Sequence, residues 1–245
     1  ASQTAYLWSQ KTSAGAKRET KNFKNTYKKK LMKTAYTSAD IQNMDRIKRL
    51  HLINSITGVK PANLIGTVGD DGIENLAIFS SVVHLGSNPP LIGFVLRPHF
   101  EFRRDTFNNI QHSGYYSINH VPAGLTEPAH YTSAKFDPEV NEFERCGFES
   151  VYLNNFPAPF VAESPVKIGL RKVNEIPIPD NGTMLVIGQI ELIEVPKAVD
   201  EVNGKLDLEQ LGVAGISGLN TYYKMTRVGD YPYARVEEVP EFKKA

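Results

Sequence analysis

The strongest constraint on the fold is the stretch "ANLIGTVGDDGIENLAIFSS", which runs from Ala62 to Ser81. Two segments rich in apolar and β-branched residues flank Gly-Asp-Asp-Gly, a sequence typical of the turn in a β-hairpin. We therefore predict two antiparallel strands, over residues 64–68 and 73–79. Side chains alternate between the two faces of a strand. Alternation places Asn63, Ile65 and Thr67 on one face of the first strand. On the second strand, Asn75, Ala77 and Phe79 share a face.

Strands also dominate the rest of the chain. Apolar segments bounded by Gly, Pro, Asn and Ser predict further strands over residues 82–85, 91–96, 115–121, 166–173 and 184–195. The Pro-rich segment "IPIPDNG" is predicted to separate the last two. Many strands with few helices predict a closed or partly closed antiparallel barrel with helices at its mouth.

Two helices are predicted from apolar spacing and capping residues. The first covers residues 39–54, where Thr37 or Ser38 is the candidate cap and apolar residues recur at helical spacing. The second covers residues 106–113 and is expected to end at Gly114, because glycine readily adopts the left-handed backbone that closes a helix.

Charge is distributed unevenly along the chain. The first 33 residues hold nine Lys or Arg and one acid, whereas the rest hold 19 basic and 26 acidic side chains, a net charge of −7. Residues 1–37 are therefore interpreted as a basic extension, either mobile or added for expression, and residues 38–245 as one domain. Nucleic-acid binding through the extension is the alternative, which the acidic body disfavours.

Several common chemistries have no support in the sequence. It contains no P-loop, no G-x-S-x-G motif and no correctly spaced G-x-G-x-x-G, and its six histidines form no H-x-x-x-H pair, so we predict no metal site. Cys146, the single cysteine, is interpreted as a packed bystander in a reducing, cytoplasmic location. No apolar run is long enough to span a bilayer, so no membrane partner is expected. Catalysis would then depend on a cofactor that brings its own reactivity.

The segment "RPHFEFRRDTFNNIQHSG", which begins at Arg97, has the composition of an anion site. Arg103 and Arg104 precede Asp105, which is predicted to cap the helix that follows. Free N–H groups and the positive dipole end at a helix start favour a phosphate, and a guanidinium and the Thr106 hydroxyl add hydrogen bonds. Arg97 is a second candidate for the same anion. The alternative is that the arginines form a solvated face and Asp105 is only a cap.

The opening hairpin supplies the other half of a ligand site. Small residues such as Gly66, Ala77, Ser80 and Ser81 allow a flat ring to approach the backbone, and polar side chains beside them can bind the edges of that ring. The alternative is a solvent-facing strand side, which is commonly polar. A ring on the strands with a phosphate at the helix start describes a nucleotide-like ligand.

The order and spacing of these motifs resemble the flavin-reductase-like, FMN-binding split-barrel family, over residues 54–223. The matching residues, in chain order, are Thr67, Asp71-Gly72, Asn75, Ala77, Ser80, Pro89-Pro90, Arg104-Asp105-Thr106 and Tyr115 to Asn119. The resemblance implies a mainly β, Greek-key antiparallel split barrel with short flanking helices. It also implies an obligate homodimer that holds FMN near the subunit interface.

The resemblance, together with the residue analysis, defines a set of candidate FMN-binding residues. They are Asn63, Leu64, Ile65, Thr67, Asn75, Ala77, Ser80, Ser81, Arg97, Arg103, Arg104, Asp105 and Thr106. Arg104 stands where the family usually has Lys, and its planar fork implies a different contact geometry. The resemblance further places Tyr131, Thr132, Ser133 and Tyr222 near the ring.

The function implied is that of an FMN-dependent oxidoreductase. Reduced nicotinamide, NADH or NADPH, would pass a hydride to the flavin, and the electrons would continue to free flavin, oxygen, a ferric chelate or a protein partner. Because the flavin supplies the chemistry, we expect no essential general acid or base. One alternative is an FMN-binding electron carrier, resembling flavoredoxin, without nicotinamide turnover. An oxidase of the pyridoxamine-phosphate type is a weaker alternative, since no second cluster of phosphate-binding arginines is found.

Overall fold

A computed structural model of the chain describes residues 33–98, 104–197 and 204–242. It divides into two compact units, Ala1–Arg49 and Leu50–Ala245. The strands, and every described candidate residue of the ligand site, belong to the second unit.

The predicted N-terminal helix is two helices, α1 (Ser38–Asn43) and α2 (Arg46–Ser55). Thr37 caps α1, and Asp40 completes a reciprocal capping box with it. The prediction of one continuous helix was wrong because Asp45 starts a new one. Its Oδ1 accepts hydrogen bonds from the backbone N–H groups of Ile47 at 3.0 Å and Lys48 at 2.9 Å. A side chain that satisfies these free N–H groups favours a helix start over helix continuation.

A seven-stranded antiparallel sheet forms the body of the second unit, in the order β3-β2-β6-β9-β10-β5-β4. The predicted hairpin is confirmed as β2 and β3, with Thr67 opposite Asn75 and Ile65 opposite Ala77. The bounds of the seven strands are β2 (Asn63–Val68), β3 (Glu74–Phe79), β4 (Val83–Ser87), β5 (Pro90–Leu96), β6 (Tyr115–His120), β9 (Lys167–Ile178) and β10 (Thr183–Glu194).

Shorter elements complete the described chain. Two small sheets join β1-β11-β12 and β7-β8. The bounds are β1 (Lys60–Pro61), α3 (Asp105–Ser113), 3₁₀ turn (Ala123–Leu125), α4 (Thr126–Tyr131), α5 (Glu142–Cys146), β7 (Ser150–Val151), β8 (Phe160–Val161), β11 (Ala214–Ser217), β12 (Thr221–Lys224) and 3₁₀ turn (Val236–Glu238). As predicted, α3 ends at Gly114, which adopts φ +75°.

Strand β2 is buried on both faces, because each face belongs to a different hydrophobic cluster. Leu64 packs in a cluster with Leu76 and Phe143. Ile65 points the other way, into a cluster with Phe94 and other barrel residues. Apolar burial on both sides of the sheet is the main stabilising term for such a strand.

The sheet curls far enough for a side chain just after its edge strand β3 to reach β5, the neighbour of the other edge strand, β4. Ser81 follows the edge strand β3, and its hydroxyl donates to the carbonyl of Val95 in β5 at 2.9 Å. The same oxygen accepts the N–H of Val95 at 3.1 Å. The hydroxyl therefore replaces a strand partner at the seam, and the sheet is a split antiparallel barrel.

The hairpin of β9 and β10 is longer than predicted. β9 continues to Ile178, so the segment expected to separate the strands contributes its first residues to pairing. Pro177 lies opposite Met184 in the register. A proline lacks a backbone donor, but a hairpin end tolerates that loss better than a strand centre does.

One glycine of β10 is required by a buried tyrosine. A Cβ at Gly188 would lie 2.1 Å from the Tyr116 hydroxyl oxygen and 3.1 Å from the Leu170 Cβ. Tyr116 is completely buried, and its hydroxyl has no hydrogen-bond partner among the described residues. Burial raises the pKa of this phenol above its ordinary value.

This contact gives a double-mutant prediction. We expect Gly188→Ala to lower the free energy of unfolding by about 2 kcal/mol, because the barrel interior has no room for the added methyl group. Tyr116→Phe should be nearly neutral, since it removes a buried hydroxyl that has no partner. The two changes together should recover at least half of the loss, as measured by urea denaturation. Simple additivity of the two effects would contradict this packing account.

Candidate functional site

A buried polar network joins the start of α3 to the hairpin. The Asn75 Nδ2 donates to the Thr106 Oγ1 at 3.0 Å and to the Thr67 Oγ1 at 3.4 Å. Asn109 Nδ2 donates to the same Thr67 oxygen at 3.1 Å. Thr67, Asn75 and Thr106 are all buried. The network fixes the helix start against the strands, as the predicted ring-and-phosphate arrangement requires.

Asn109 was not predicted, although a signal for it exists. It lies three residues after Thr106, so both side chains share one face of α3. Its amide occupies one side of the Thr67 hydroxyl and leaves the Asn75 amide to reach Thr106. Sequence analysis assigned Thr67 to the ligand, whereas in the structure its hydroxyl already accepts two protein hydrogen bonds.

Two arginines converge at the same end of the site. Arg97 directly follows β5, and Arg104 directly precedes α3. Arg97 keeps an exposed side chain, but nearby protein atoms reduce its hydration. Its pKa lies below the ordinary value, first because of this desolvation and second because of the positive charge of Arg104. An anion bound between two neighbouring guanidinium groups stabilises both positive charges.

Arg104 is also short of an acceptor. Its Nε is buried, and within the described chain it has no hydrogen-bond partner. The guanidinium forms no ion pair with any carboxylate that the structure describes. An unsatisfied donor on a permanently charged group is costly. The residues at this point therefore suit a phosphate, which accepts several hydrogen bonds from a guanidinium.

The start of α3 differs from the prediction in one detail. Asp105 is the first residue of the helix, and Arg104 occupies the N-cap position without a side-chain cap hydrogen bond. The prediction that Asp105 caps the helix was wrong, because the chain enters the helix one residue earlier. The Arg104 side chain therefore does not cap the backbone N–H groups at the start of α3. Arg103, also a candidate, lies outside the described residues.

The candidate ring-binding residues differ in how much side chain they leave accessible. Ala77 and Ser80 are partly exposed on β3 and just after it. Ser81 is partly exposed, but its hydroxyl is bonded to the Val95 backbone. Leu64 and Ile65 are completely buried in the hydrophobic clusters. Ala77 and Ser80 are therefore the accessible members of the strand candidates.

At Gly66 the close backbone approach is made by the protein itself. A Cβ there would lie 2.4 Å from the Pro159 carbonyl oxygen and 2.7 Å from the Ser117 hydroxyl oxygen. The space that sequence analysis assigned to a ring is filled by the chain that leads into β8. Ala77, by contrast, retains a partly exposed position on the edge strand.

Asn63 lies at the other end of the hairpin with an unsatisfied amide. It is 1% exposed, and neither its Oδ1 nor its Nδ2 has a hydrogen-bond partner in the described part of the chain. His120 of β6 lies directly opposite in the register. Burial lowers the pKa of His120 to about 4. The imidazole is therefore neutral at physiological pH.

The low pKa of His120 predicts a pH-dependent stability. The unfolded chain binds the proton near the ordinary pKa of 6.5, whereas the folded protein binds it only near 4. Stability is therefore highest above pH 6.5 and falls as the pH drops from 6.5 toward 4. Between pH 7 and 4.5, the free energy of unfolding of His120→Gln should decrease by about 2–3 kcal/mol less than that of the original chain, as measured by urea denaturation. His84→Gln, at an exposed site on β4, should retain the full fall. Equal pH profiles for all three proteins would contradict the assignment.

Acidic side chains flank the polar network on the side of α5. A small cleft beside Asn75 is lined by Asp71, Glu74, Asp105 and Glu142. Glu142 is buried, and its Oε2 accepts the backbone N–H of Leu76 at 3.2 Å. This carboxylate satisfies a donor on the outer edge of β3. Negative charge on this side of the network disfavours an anion there, whereas positive charge at the arginines favours one.

A second group of expected residues surrounds α4. The His130 Nδ1 lies 3.1 Å from the Tyr222 hydroxyl, and the rings meet edge to face. Burial raises the pKa of Tyr222 to about 12, so its hydroxyl remains protonated. Thr132 is buried and donates to the Ala129 carbonyl at 2.8 Å, whereas Tyr131 is 59% exposed. Tyr131 and Ser133 are the exposed residues of this group.

Other chemistries find no assembled site among residues 33–98, 104–197 and 204–242. No cluster of three or more His, Cys, Asp or Glu residues there has the geometry of a metal site. Cys146 is free and half-buried, and burial raises the pKa of its thiol. In this part of the chain, each helix is too short or too polar to traverse a lipid bilayer.

The fold and the site define a mainly β, split-barrel class of proteins. The model of the flavin reductase like domain matches residues 59–208. The chain therefore belongs to the flavin reductase like domain family.

Solved structures give the same placement. A protein from Shewanella frigidimarina, assigned as a flavin reductase with a split barrel domain, is 41% identical with a TM-score of 0.78, covering 82% of this chain and all of that one. Flavoredoxin of Desulfovibrio vulgaris is 22% identical with a TM-score of 0.60, covering 74% and 92%. An FMN-binding protein from Thermus thermophilus is 15% identical with a TM-score of 0.60, covering 71% and 91%. The last two likenesses show the fold alone.

Proposed function

We propose that this protein is an FMN-dependent oxidoreductase that accepts reducing equivalents from NADH or NADPH. The observation that carries the proposal is the pair of arginines at the start of α3. Arg104 has a buried, unsatisfied Nε, and the pKa of Arg97 is lowered first by desolvation and second by the charge of Arg104. A phosphate group at the start of α3 would accept a hydrogen bond from Arg104 and would reduce the repulsion between the two arginines. Family membership, and the likeness to the Shewanella frigidimarina protein that is assigned as a flavin reductase, support a flavin as the phosphorylated ligand.

Two regions of this chain would bind the two parts of the cofactor, its phosphate and its ring. Arg97, Arg104 and the Thr106 hydroxyl would bind the phosphate, with Asn75 orienting Thr106. Ala77 and Ser80 offer the accessible part of the strand edge for the ring. A bound flavin supplies hydride acceptance from nicotinamide and onward electron transfer. The protein residues bind and orient, so we expect no side chain to act as an essential general acid or base.

A homodimer is part of this proposal. Ala77 and Ser80 lie on and just after β3, an edge strand of the sheet, so a second subunit is needed to cover a ring placed there. Covering the ring excludes water and aligns the nicotinamide with it. The final acceptor is free flavin, oxygen, a ferric chelate or a protein partner.

Anaerobic titration of the purified protein tests the proposal. The protein saturated with FMN should show flavin absorbance bands, and NADH or NADPH should bleach them at a rate well above that of free FMN. The matched control is free FMN under identical conditions. A colourless protein that does not bind added FMN would refute the proposal.

A flavin electron carrier is the second candidate, because the unsatisfied Arg104 Nε supports a phosphorylated cofactor but does not indicate a nicotinamide. It shares all of the residues assigned to FMN and needs no nicotinamide site. The same titration separates the two functions. A yellow protein that neither nicotinamide bleaches, but that dithionite reduces reversibly, is a carrier.

A further inference from the structure

The chain after β12 carries several apolar side chains that are largely exposed to solvent. β12 ends at Lys224, and residues 225–242 follow as a segment that we call the C-terminal arm. The exposed fractions of its large apolar residues are 96% for Val228, 88% for Tyr231, 85% for Tyr233, 86% for Val236, 59% for Val239 and 81% for Phe242. Single exposed apolar residues are normal, but a concentration of them in one short segment is typical of an interaction surface.

The base of the arm is held in place by charged groups. Arg227 Nη1 lies 3.1 Å from Asp230 and 3.3 Å from Asp207, and Lys205 also pairs with Asp230. The backbone N–H of Arg227 donates to Glu209 at 2.9 Å. Farther along the arm, its side-chain ion pair among described residues is internal, between Arg235 and Glu238. The arm therefore leaves the body in a defined direction and then presents its apolar residues.

We propose that the C-terminal arm packs along α2 of a second copy of this chain. This inference rests on the homodimer of the proposed function and names the surfaces that form it. On α2, Ile47, Leu50 and Ile53 are 48%, 43% and 41% exposed. Their three-residue spacing places them on one face of the helix. The structure thus contains both an apolar arm and an apolar stripe, each without a partner among the described residues.

The charges of the two surfaces are complementary. The arm beyond Arg227 carries four acids and one base, which are Asp230, Glu237, Glu238, Glu241 and Arg235. The helix α2 carries three bases and no acid, which are Arg46, Lys48 and Arg49. Opposite charges around an apolar contact favour one partner and one orientation. In a dimer with two-fold symmetry, the acidic arm of each chain would lie on the basic helix of the other, so the same contact forms twice.

The dimensions of the arm are sufficient for this exchange. An extended segment of residues 228–242 reaches on the order of 50 Å, enough to cross the face of another subunit. Burying a Tyr or Phe removes roughly 150–250 Å² from water, so the six rings of two arms remove on the order of 1,000 Å². With the surfaces that they cover, this reaches the roughly 1,200–2,000 Å² of a specific interface.

Cysteine cross-linking tests the contact in the full-length chain. Cys146→Ser leaves no native thiol, so Leu50→Cys is introduced in one tagged chain and Tyr233→Cys in a second, untagged chain. After mixing and mild oxidation, we expect a disulfide-linked pair of the two chains in at least tenfold higher yield than with Asp180→Cys, an exposed turn residue, in place of Tyr233→Cys. Equal yields would overturn the proposal. An internal disulfide in a chain with both cysteines, independent of dilution, would also overturn it, because the arm would then cover its own helix.

Sedimentation provides a second, independent measurement. Replacing Tyr231, Tyr233 and Phe242 with Ser should raise the dimer dissociation constant at least 100-fold. The control replaces Val173, Ile176 and Ile193, three other exposed apolar residues, with Ser and should change it less than fivefold. Equal effects would contradict the proposal. Flavin absorbance of the same samples separates the two claims: a colourless cross-linked dimer contradicts the proposed function alone, and a yellow protein without the cross-link contradicts the arm alone.

Discussion

Replacing Arg104 with alanine should weaken FMN binding by roughly 10- to 100-fold, because hydrogen bonds to a charged group contribute about 1.5–3 kcal/mol. Arg104 has a buried Nε without a described partner and no described ion pair, so its removal breaks no protein contact that would account for the loss. Riboflavin, which lacks the phosphate, should bind with an affinity changed less than threefold. Fluorescence titration of both ligands measures the two dissociation constants.

Two further variants serve as controls for this prediction. Arg104→Lys keeps the positive charge and should bind FMN within about fivefold of the original chain, since a lysine also binds phosphate but without the fixed fork. Arg145→Ala removes an exposed positive charge elsewhere and should leave FMN affinity unchanged. If Arg104→Ala weakened riboflavin and FMN equally, Arg104 would act on the ring site or on folding, and the phosphate assignment would be refuted.

Gly66→Ala should lower the free energy of unfolding by about 3 kcal/mol or more, the upper part of the range for overpacked interiors. The added Cβ would lie 2.4 Å from the Pro159 carbonyl oxygen, 2.7 Å from the Ser117 hydroxyl oxygen and 3.3 Å from the Phe143 ring. A backbone carbonyl cannot rotate away as the end of a long side chain can. Urea denaturation measures the loss, or circular dichroism shows its extreme form, a chain that fails to fold.

The controls for Gly66 separate steric overlap from a general effect of alanine. Gly124→Ala places its Cβ in open space and should change the free energy of unfolding by less than 1 kcal/mol. Ser117→Ala removes one of the overlapping atoms but also the 2.5 Å hydrogen bond to Pro159, and it leaves the carbonyl in place. It should therefore fail to rescue Gly66→Ala. A loss below 1 kcal/mol for Gly66→Ala alone would show that the chain near Pro159 yields easily.

Local signals accounted for most of the strands and for the C-terminal end of α3. The Gly-Asp-Asp-Gly turn, the alternation along β2 and β3 and the glycine after α3 each depend on residues close together in sequence, and the structure contains all three. Where a local signal competed with another, the prediction failed. Asp45 offers a cap within a run of helical periodicity, and the cap divides the helix. Asp105 has the chemistry of a cap, but the helix begins at that residue.

The candidate site was only partly accessible to sequence reasoning. Arg97 and Arg104 were both proposed for one anion, and the structure brings their charges within range of each other. Their part in binding FMN, like that of the strand residues, stays a prediction. Asn109 and Glu142 were missed because their partners, Thr67 and Leu76, are 42 and 66 residues away in sequence. No local pattern encodes such a pairing.

By itself, the sequence determined the class of fold, the hairpin with its polar face, and the cluster of basic residues before a helix. These follow from turn chemistry, side-chain alternation and capping, which act between neighbouring residues. Only the tertiary structure decided which small residues remain accessible. Gly66 is covered by Pro159 and Ser81 is bonded to Val95, whereas Ala77 and Ser80 stay partly exposed. The reason is that the free space beside a residue depends on which distant segment packs against it, and that packing is set by the whole barrel.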